Sequence, residues 1–145
     1  MTELTSTPKP RGSQPPARVL IVDDSYELLG LVSAWLQDEG YYVFTATTGL
    51  QALDVAESHE PDVVLLDVIM PPPDGFAVCE MLQRREKPPE IILMTGLSEP
   101  NRLRRVDELG GLVLLRKPLT NEMVIEAVAG AVQRRFGPTR NLTAH

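Results

Sequence analysis

Four apolar runs in this chain end on residues that can do chemistry. "VLIVDDS" at 19–25 stops on Asp23 and Asp24, and "VVLLD" at 63–67 stops on Asp67. "EIILMTG" at 90–96 stops on Thr95 and Gly96, and "LVLLRKP" at 112–118 stops on Lys117 and Pro118. Two adjacent like charges are a poor way to end a buried strand. Carboxylates a few ångströms apart raise one another's pKa or require a cation. Carboxylate oxygens, backbone carbonyls and waters suit a hard divalent ion, Mg2+ above all, because it keeps several waters and takes few protein ligands. A nearby ammonium such as Lys117 would add positive charge for phosphoryl oxygens. Three carboxylates, one ammonium and one hydroxyl, if gathered, make a set for metal-assisted phosphoryl chemistry.

Gathering them is the task of the segments between. "SYELLGLVSAWLQDEG" follows the first run, with Ser25 as its N-cap, Gly40 as its C-cap, and Leu28, Leu31, Val32, Trp35 and Leu36 at helical spacing. "YYVFTAT" is rich in aromatic and β-branched residues and reads as a strand. "GLQALDVAESHE" reads as a helix whose faces are marked by Leu50, Leu53 and Ala56 or Glu57; Pro61 and Asp62 break it. The stiff loop "VIMPPPDG", with Asp74 as a cap, leads into helix "FAVCEMLQRREK", which Pro88 and Pro89 end. "SEPNRLRRVDELG" at 98–110 reads as a short basic helix. "LTNEMVIEAVAGAVQRRF" is a last helix, capped by Thr120 or Asn121, with Val124, Ala127, Val128, Ala131 and Val132 as its stripe. Strands apolar at every position, alternating with amphipathic helices, argue a parallel sheet covered on both faces. A closed eight-stranded barrel needs far more chain. The expected fold is therefore α/β: a (βα)5, doubly wound, parallel five-stranded sheet. Its ligands belong at the carboxyl ends of the strands, where the residues above collect.

Bulk composition narrows the function. The chain has 145 residues, 43% hydrophobic and 23% charged, with a net charge of −6. An acidic chain is not built to grip nucleic acid or an anionic membrane through bulk charge. No apolar stretch is long enough to span a bilayer. A single cysteine, Cys79, permits no intrachain disulfide. The proline-rich start lacks the apolar core of a secretory signal. A cytoplasmic protein is expected, organised as a disordered arm over 1–16, one domain over 17–136 and a loose tail over 137–145.

The motifs "VLIVDDS", "VVLLDVIMPPPDG", "ILMTG" and "RKPL", in this order and each at a strand end, resemble the receiver domain of two-component response regulators over about residues 17–136. The resemblance implies the flavodoxin-like strand order 2-1-3-4-5. It implies that Asp67 is the phosphoacceptor, attacking a phosphoryl group carried on a histidine to give an acyl phosphate. Asp24 and Asp67 would bind Mg2+ directly, Asp23 would bind it through water, and the backbone carbonyl of Ile69 would be a further ligand. Thr95 would hydrogen-bond a phosphoryl oxygen, Lys117 would pair with it, and Lys117–Pro118 would be cis. The donor would be a histidine kinase or histidine phosphotransfer protein, since neither His59 nor His145 is placed to serve. The downstream partner would meet the fourth helix, fifth strand and fifth helix, and a homodimer fits the same pattern. Only nine residues follow position 136, so action without an attached output domain is expected.

Two departures stand out. Leu114 occupies the place of the usual switch aromatic, and the positions flanking the site, Ile69 and Leu97, are apolar. Polar groups there can orient a hydrolytic water, so apolar ones imply a longer-lived acyl phosphate. A competing assignment is a Mg2+-dependent phosphohydrolase using Asp67, but the second acid of its D-x-D pair is absent, for Val68 and Ile69 follow. A flavin-binding domain would need a Ser/Thr/Gly-rich loop where "DDSYELL" stands. Blander roles exist for each residue: Asp23–Asp24 as a strand end and N-cap, with Asp24 able to do both jobs; Asp67 as a turn residue; Thr95 as a strand former; Lys117 as a surface charge. Trp35 and Cys79 read as core, Arg102, Arg104, Arg105 and Arg116 as solvated surface or else a basic patch for a partner with acidic residues, and Arg134 and Arg135 as complements to a helix C-terminus.

Overall fold

The second apolar run fixes the centre of the molecule. Val63–Asp67 forms strand β3, and all five of its residues are buried. A strand with no exposed face needs a layer on each side. The computed structural model of the chain describes residues 15–96, 104, 105, 108 and 112–137. Within them the chain order is β1 (Arg18–Val22), α1 (Tyr26–Asp38), β2 (Tyr42–Ala46), α2 (Gly49–His59), β3, α3 (Gly75–Gln83), β4 (Glu90–Thr95), β5 (Val113–Arg116) and α4 (Asn121–Phe136). The helix expected over 98–110 lies outside the described residues, save that Arg104, Arg105 and Glu108 are helical. The expected arm lies outside them up to position 14, as does the tail from 138.

Five parallel strands run in the order β2-β1-β3-β4-β5. Alternating side chains divide the core into two layers. Leu20, Val22, Val64, Leu66 and Leu93 join Ala52 and Ala56 of α2 and Phe76, Val78 and Leu82 of α3. Val19, Ile21, Val63, Leu65 and Ile92 join Leu29, Val32 and Leu36 of α1 and Val124, Val128 and Ala131 of α4. The edge strands are less covered than their sequences promise: β2 and β5 have partly exposed residues throughout, apart from buried Ala46.

Helix faces differ from expectation in detail. Leu29, Val32 and Leu36 are the buried positions of α1, whereas Leu31 is 52% exposed. On α2 the small residues Ala52 and Ala56 face the sheet and Leu50 is 65% exposed. Ser25 caps α1, accepting from Leu28 N at 3.2 Å. The cap role considered for Asp24 thus falls to its neighbour. The other end of α1 closes with Gly40 at φ 95°. Gly40 N donates to Gln37 O at 3.0 Å and Tyr41 N to Leu36 O at 3.2 Å, the paired bonds that a left-handed glycine permits. Helix α3 stops at Gln83 instead of Lys87. Its end tightens through Arg84 N to Met81 O and Arg85 N to Leu82 O, and the residue before Pro88 is disfavoured in helical geometry. Arg134 and Arg135 do more than complement a helix end. Arg134 Nε reaches Glu90 Oε1 at 2.9 Å, while Arg135 donates to Pro88 O at 2.6 Å and pairs with Asp62 at 3.4 Å.

Two glycines separate tight fit from open space. A Cβ on Gly75 would overlap the Asp67 carbonyl oxygen and stand 2.5 Å from Val68 Cα, whereas one on Gly30, inside α1, would meet nothing within 4 Å. Gly75→Ala should therefore lower the unfolding free energy by about 2 kcal/mol, through overpacking. Gly30→Ala should raise it by about 0.5–1 kcal/mol, through lost chain entropy. Urea unfolding of both variants measures this, and equal effects at the two positions would contradict the packing described.

Candidate functional site

The sheet delivers its carboxyl ends as a set. Beyond the strands proper, Asp23 N donates to Ala46 O at 3.1 Å, Val68 N to Met94 O at 3.0 Å and Lys117 N to Thr95 O at 2.8 Å. Asp23 and Lys117 are thus held one step past the last residues of β1 and β5, while Asp67 and Thr95 are the last residues of β3 and β4. Asp23 and Asp67 are buried, at 0% and 4% exposure, beside a solvent-facing Asp24. One carboxylate oxygen from each of the three lies within 4.8 Å of the others.

Lys117 crosses to this cluster from the end of β5. Its Nζ lies 2.7 Å from Asp23 Oδ2 and 3.5 Å from Asp67 Oδ2. The other oxygens are held by backbone. Asp23 Oδ1 accepts from Ser25 N at 2.9 Å, and Asp67 Oδ1 accepts from Ile69 N at 3.1 Å. Asp23 is therefore engaged through both oxygens, Asp67 firmly through one, and Asp24 carries no side-chain bond among the described residues. Thr95 is buried at the adjacent end of β4, and the Lys117–Pro118 peptide is cis. Leu97 lies outside the described residues. Leu114, in β5, packs at the margin of the α2/α3 core layer.

A response regulator receiver domain profile matches residues 19–129. The chain belongs to the response regulator receiver family. Among relatives of this receiver, sporulation initiation phosphotransferase F of Bacillus subtilis is 35% identical over 111 residues, covering 77% of this chain and 90% of that protein. The transcriptional regulatory protein YxdJ of the same organism is 28% identical over 120 residues; the match takes in 83% of this chain but only 52% of YxdJ. The chemotaxis protein CheY4 of Vibrio cholerae superposes with a TM-score of 0.73 at 33% identity, over 81% of this chain and 99% of that one. Strand order and fold match the expectation drawn from the four motifs. A receiver is a signalling phosphoacceptor, and nothing favours the phosphohydrolase: two residues after Asp67 stands an isoleucine whose N–H, not a second acid, meets it. Among the described residues no helix is long and apolar enough to cross a membrane.

Several supports of the receiver's site are silent in sequence. The Ile69 N–H on Asp67 and the Ser25 N–H on Asp23 are backbone contacts, independent of side-chain type. Gly75 lets the start of α3 settle on the Asp67 carbonyl, with Gly75 N to Val68 O at 3.3 Å and Asp74 capping Ala77 N at 2.9 Å. The Asp74–Gly75 pair after three prolines was the available signal, and it indicated only the cap.

Charge balance at the site is unfavourable. Burial pushes the Asp67 carboxyl up to about 6; the Ile69 N–H and Lys117 pull it down, and Asp23 pushes it up. Burial lowers Lys117, but its hydrogen bond to Asp23 and the charges of Asp67 and Asp23 outweigh this, so the ammonium is held above its usual 10.5. With its folded pKa above its unfolded one, ionised Asp67 opposes folding. The cost is complete above pH 6 and absent below the free value of 3.8. It amounts to about 3 kcal/mol at most. Without divalent cations, Asp67→Asn should be the more stable protein at pH 8 by about 1–3 kcal/mol, with the gap closing towards pH 4. Urea unfolding at both pH values tests this; a variant less stable than wild type at pH 8 would contradict it.

Proposed function

We propose that this receiver takes a phosphoryl group from the phosphohistidine of a histidine kinase or phosphotransfer protein onto Asp67. The single observation that carries this reading is the gathering of Asp23, Asp24, Asp67 and Lys117 within reach of one another at the strand ends. Asp67 Oδ2, held only by the longer contact to Lys117, attacks phosphorus; the P–O bond forms as the P–N bond breaks, and the electron pair leaves on the donor imidazole. The Ile69 N–H fixes the other Asp67 oxygen and so aims the carboxylate. Lys117 supplies positive charge beside the reacting oxygen, and Thr95, at the end of β4, is the hydroxyl suited to a phosphoryl oxygen after transfer.

The donor set fits Mg2+. Three carboxylates face one ammonium, and Asp24 and Asp67 keep oxygens that no short protein bond occupies. Asp24 and Asp67 would hold the ion directly, Asp23 through water while its own oxygens serve Lys117 and Ser25, and the Ile69 carbonyl would be a further ligand. Bound there, Mg2+ supplies positive charge that neutralises the carboxylates and draws in phosphoryl oxygens. The phosphorylated receiver then changes its partner binding or passes the group on, as a cytoplasmic component. The downstream partner meets the face of β5 and its flanking helices, where Leu114 replaces an aromatic switch.

Incubation of the whole chain with acetyl phosphate and Mg2+, followed by intact mass, should show one added phosphoryl group. Asp67→Asn, or excess EDTA, should abolish it. Phosphorylation that survives Asp67→Asn would move the acceptor elsewhere. Replacing Ile69 and Leu97 with Asn or Glu should speed loss of the group; an unchanged or slower rate would remove their apolar character as the cause of a long lifetime.

A further inference from the structure

The charges of this chain are unevenly distributed. Between Arg18 and Arg84 the sequence holds no lysine or arginine, yet twelve aspartates and glutamates. That stretch builds α1, β2, α2, β3 and α3, so the β2 edge of the sheet is wrapped by two cation-free helices, α1 on one face and α2 on the other. Glu27, Asp38 and Glu39 on α1, and Asp54, Glu57 and Glu60 on α2, are all exposed. None makes an ion pair among the described residues. Their placement opposes local stability. Asp38 and Glu39 end α1, and Glu57 and Glu60 end α2, where the helix dipole favours cations. Asp54 and Glu57 are like charges at i,i+3. Apart from the end of α2, where the Arg18 side chain meets the His59 carbonyl at 2.8 Å, these breaches have no compensation among the described residues, and such breaches mark functional surfaces.

Exposed apolar groups lie on the same three elements. Of the large exposed hydrophobics among the described residues, Tyr26 (79%), Leu31, Tyr42 and Leu50 belong to α1, β2 and α2, and Met81 alone lies elsewhere. A cleft of about 400 Å³ opens between α1 and the end of β2, with Tyr26 and Gly30 on one wall and Thr45 and Gln51 on the other. Gly30 keeps this wall low, since no neighbour requires the absence of its Cβ. The outer edge of β2 pairs with no strand among the described residues. It also lacks the lysine, proline or bulge that usually blunts such an edge.

We propose that the β2 edge, with the exposed faces of α1 and α2, is a docking surface for a cationic segment of another protein that carries apolar anchors. Lysines or arginines of the segment meet the unneutralised carboxylates, and its apolar side chains cover Leu31, Tyr42 and the cleft beside Tyr26. Charge complementarity selects this occupant, because an acidic or neutral apolar segment would leave the carboxylates uncompensated beneath it. The surface is separate from Asp67 chemistry, so it holds whether or not the site accepts phosphorus.

The test is a titration of the isotopically labelled whole chain, without divalent cations, with a short peptide of alternating lysine and leucine. A glutamate–leucine peptide serves as control, and amide shifts are the readout. Expected are shifts concentrated on 26–31, 42–46 and 50–57, and no binding of the control. Leu31→Ser with Tyr42→Ser should weaken binding about fivefold, and Asp54→Lys with Glu57→Lys about tenfold; high salt should weaken it too. Asp67→Asn should bind as wild type does. Binding indifferent to Leu31 and Tyr42 would reduce the surface to bulk charge and overturn the proposal. So would shifts centred elsewhere, or self-association of the free chain through this edge, which would make a second copy the occupant.

Discussion

One ammonium set against three carboxylates is the constraint on which this molecule turns. Lys117, from the end of β5, reaches Asp23, from the end of β1, at 2.7 Å, although β3 and β4 lie between those strands in the sheet. The contact is possible because parallel strands bring their carboxyl ends to one rim, and because the ladder continues through Asp23, Val68 and Lys117 past the strands themselves. A single positive charge leaves excess negative charge on a largely buried cluster. Asp67 is buried and held firmly through one oxygen only. Its carboxyl is pushed up to about 6, chiefly by burial, and the neighbouring Asp23 adds to the shift.

The rest of the fold steadies that rim. At the opposite pole Asp62 accepts from Arg18 N at 2.8 Å and pairs with Arg135, while the Arg18 side chain donates to His59 O at 2.8 Å. These contacts tie β1, β3, the end of α2 and the end of α4 together far from the chemistry. Helix α4 is thus anchored at its C-terminus, with its capped N-terminus, Thr120, just beyond Lys117–Pro118. Nearer the site, Gly75 brings α3 down onto the Asp67 carbonyl, so the loop carrying Ile69 is compressed between a strand end and a helix start. The buried thiol of Cys79, pushed up to about 11 by burial and by Glu80, is core and takes no part in the chemistry.

What could be read in sequence followed from what burial does to side-chain pattern. Central strands covered on both faces show unbroken apolar runs, so β1, β3 and β4 and their terminal Asp23, Asp67 and Thr95 stood out at once. Helix faces were harder. In α1 the sequence offers Leu28, Leu29, Leu31 and Val32 together, and periodicity alone cannot decide which stripe packs. The sheet selects Leu29, Val32 and Leu36 and leaves Leu31 to solvent. In α2 close approach to the strands favours Ala52 and Ala56 over the larger Leu50. The backbone donors of Ile69 and Ser25, and the preference of Lys117 for Asp23 over Asp67, depend on distances that no spacing in the chain encodes.

Calorimetric titration of the whole chain with Mg2+ tests the central balance of charge most directly. Wild type should show one saturable site. Asp24→Asn should weaken it at least about tenfold, and Lys117→Ala, which removes the competing cation, should tighten it. Binding unchanged by either substitution would contradict the account, because the excess charge at the rim would then not be what a divalent ion answers.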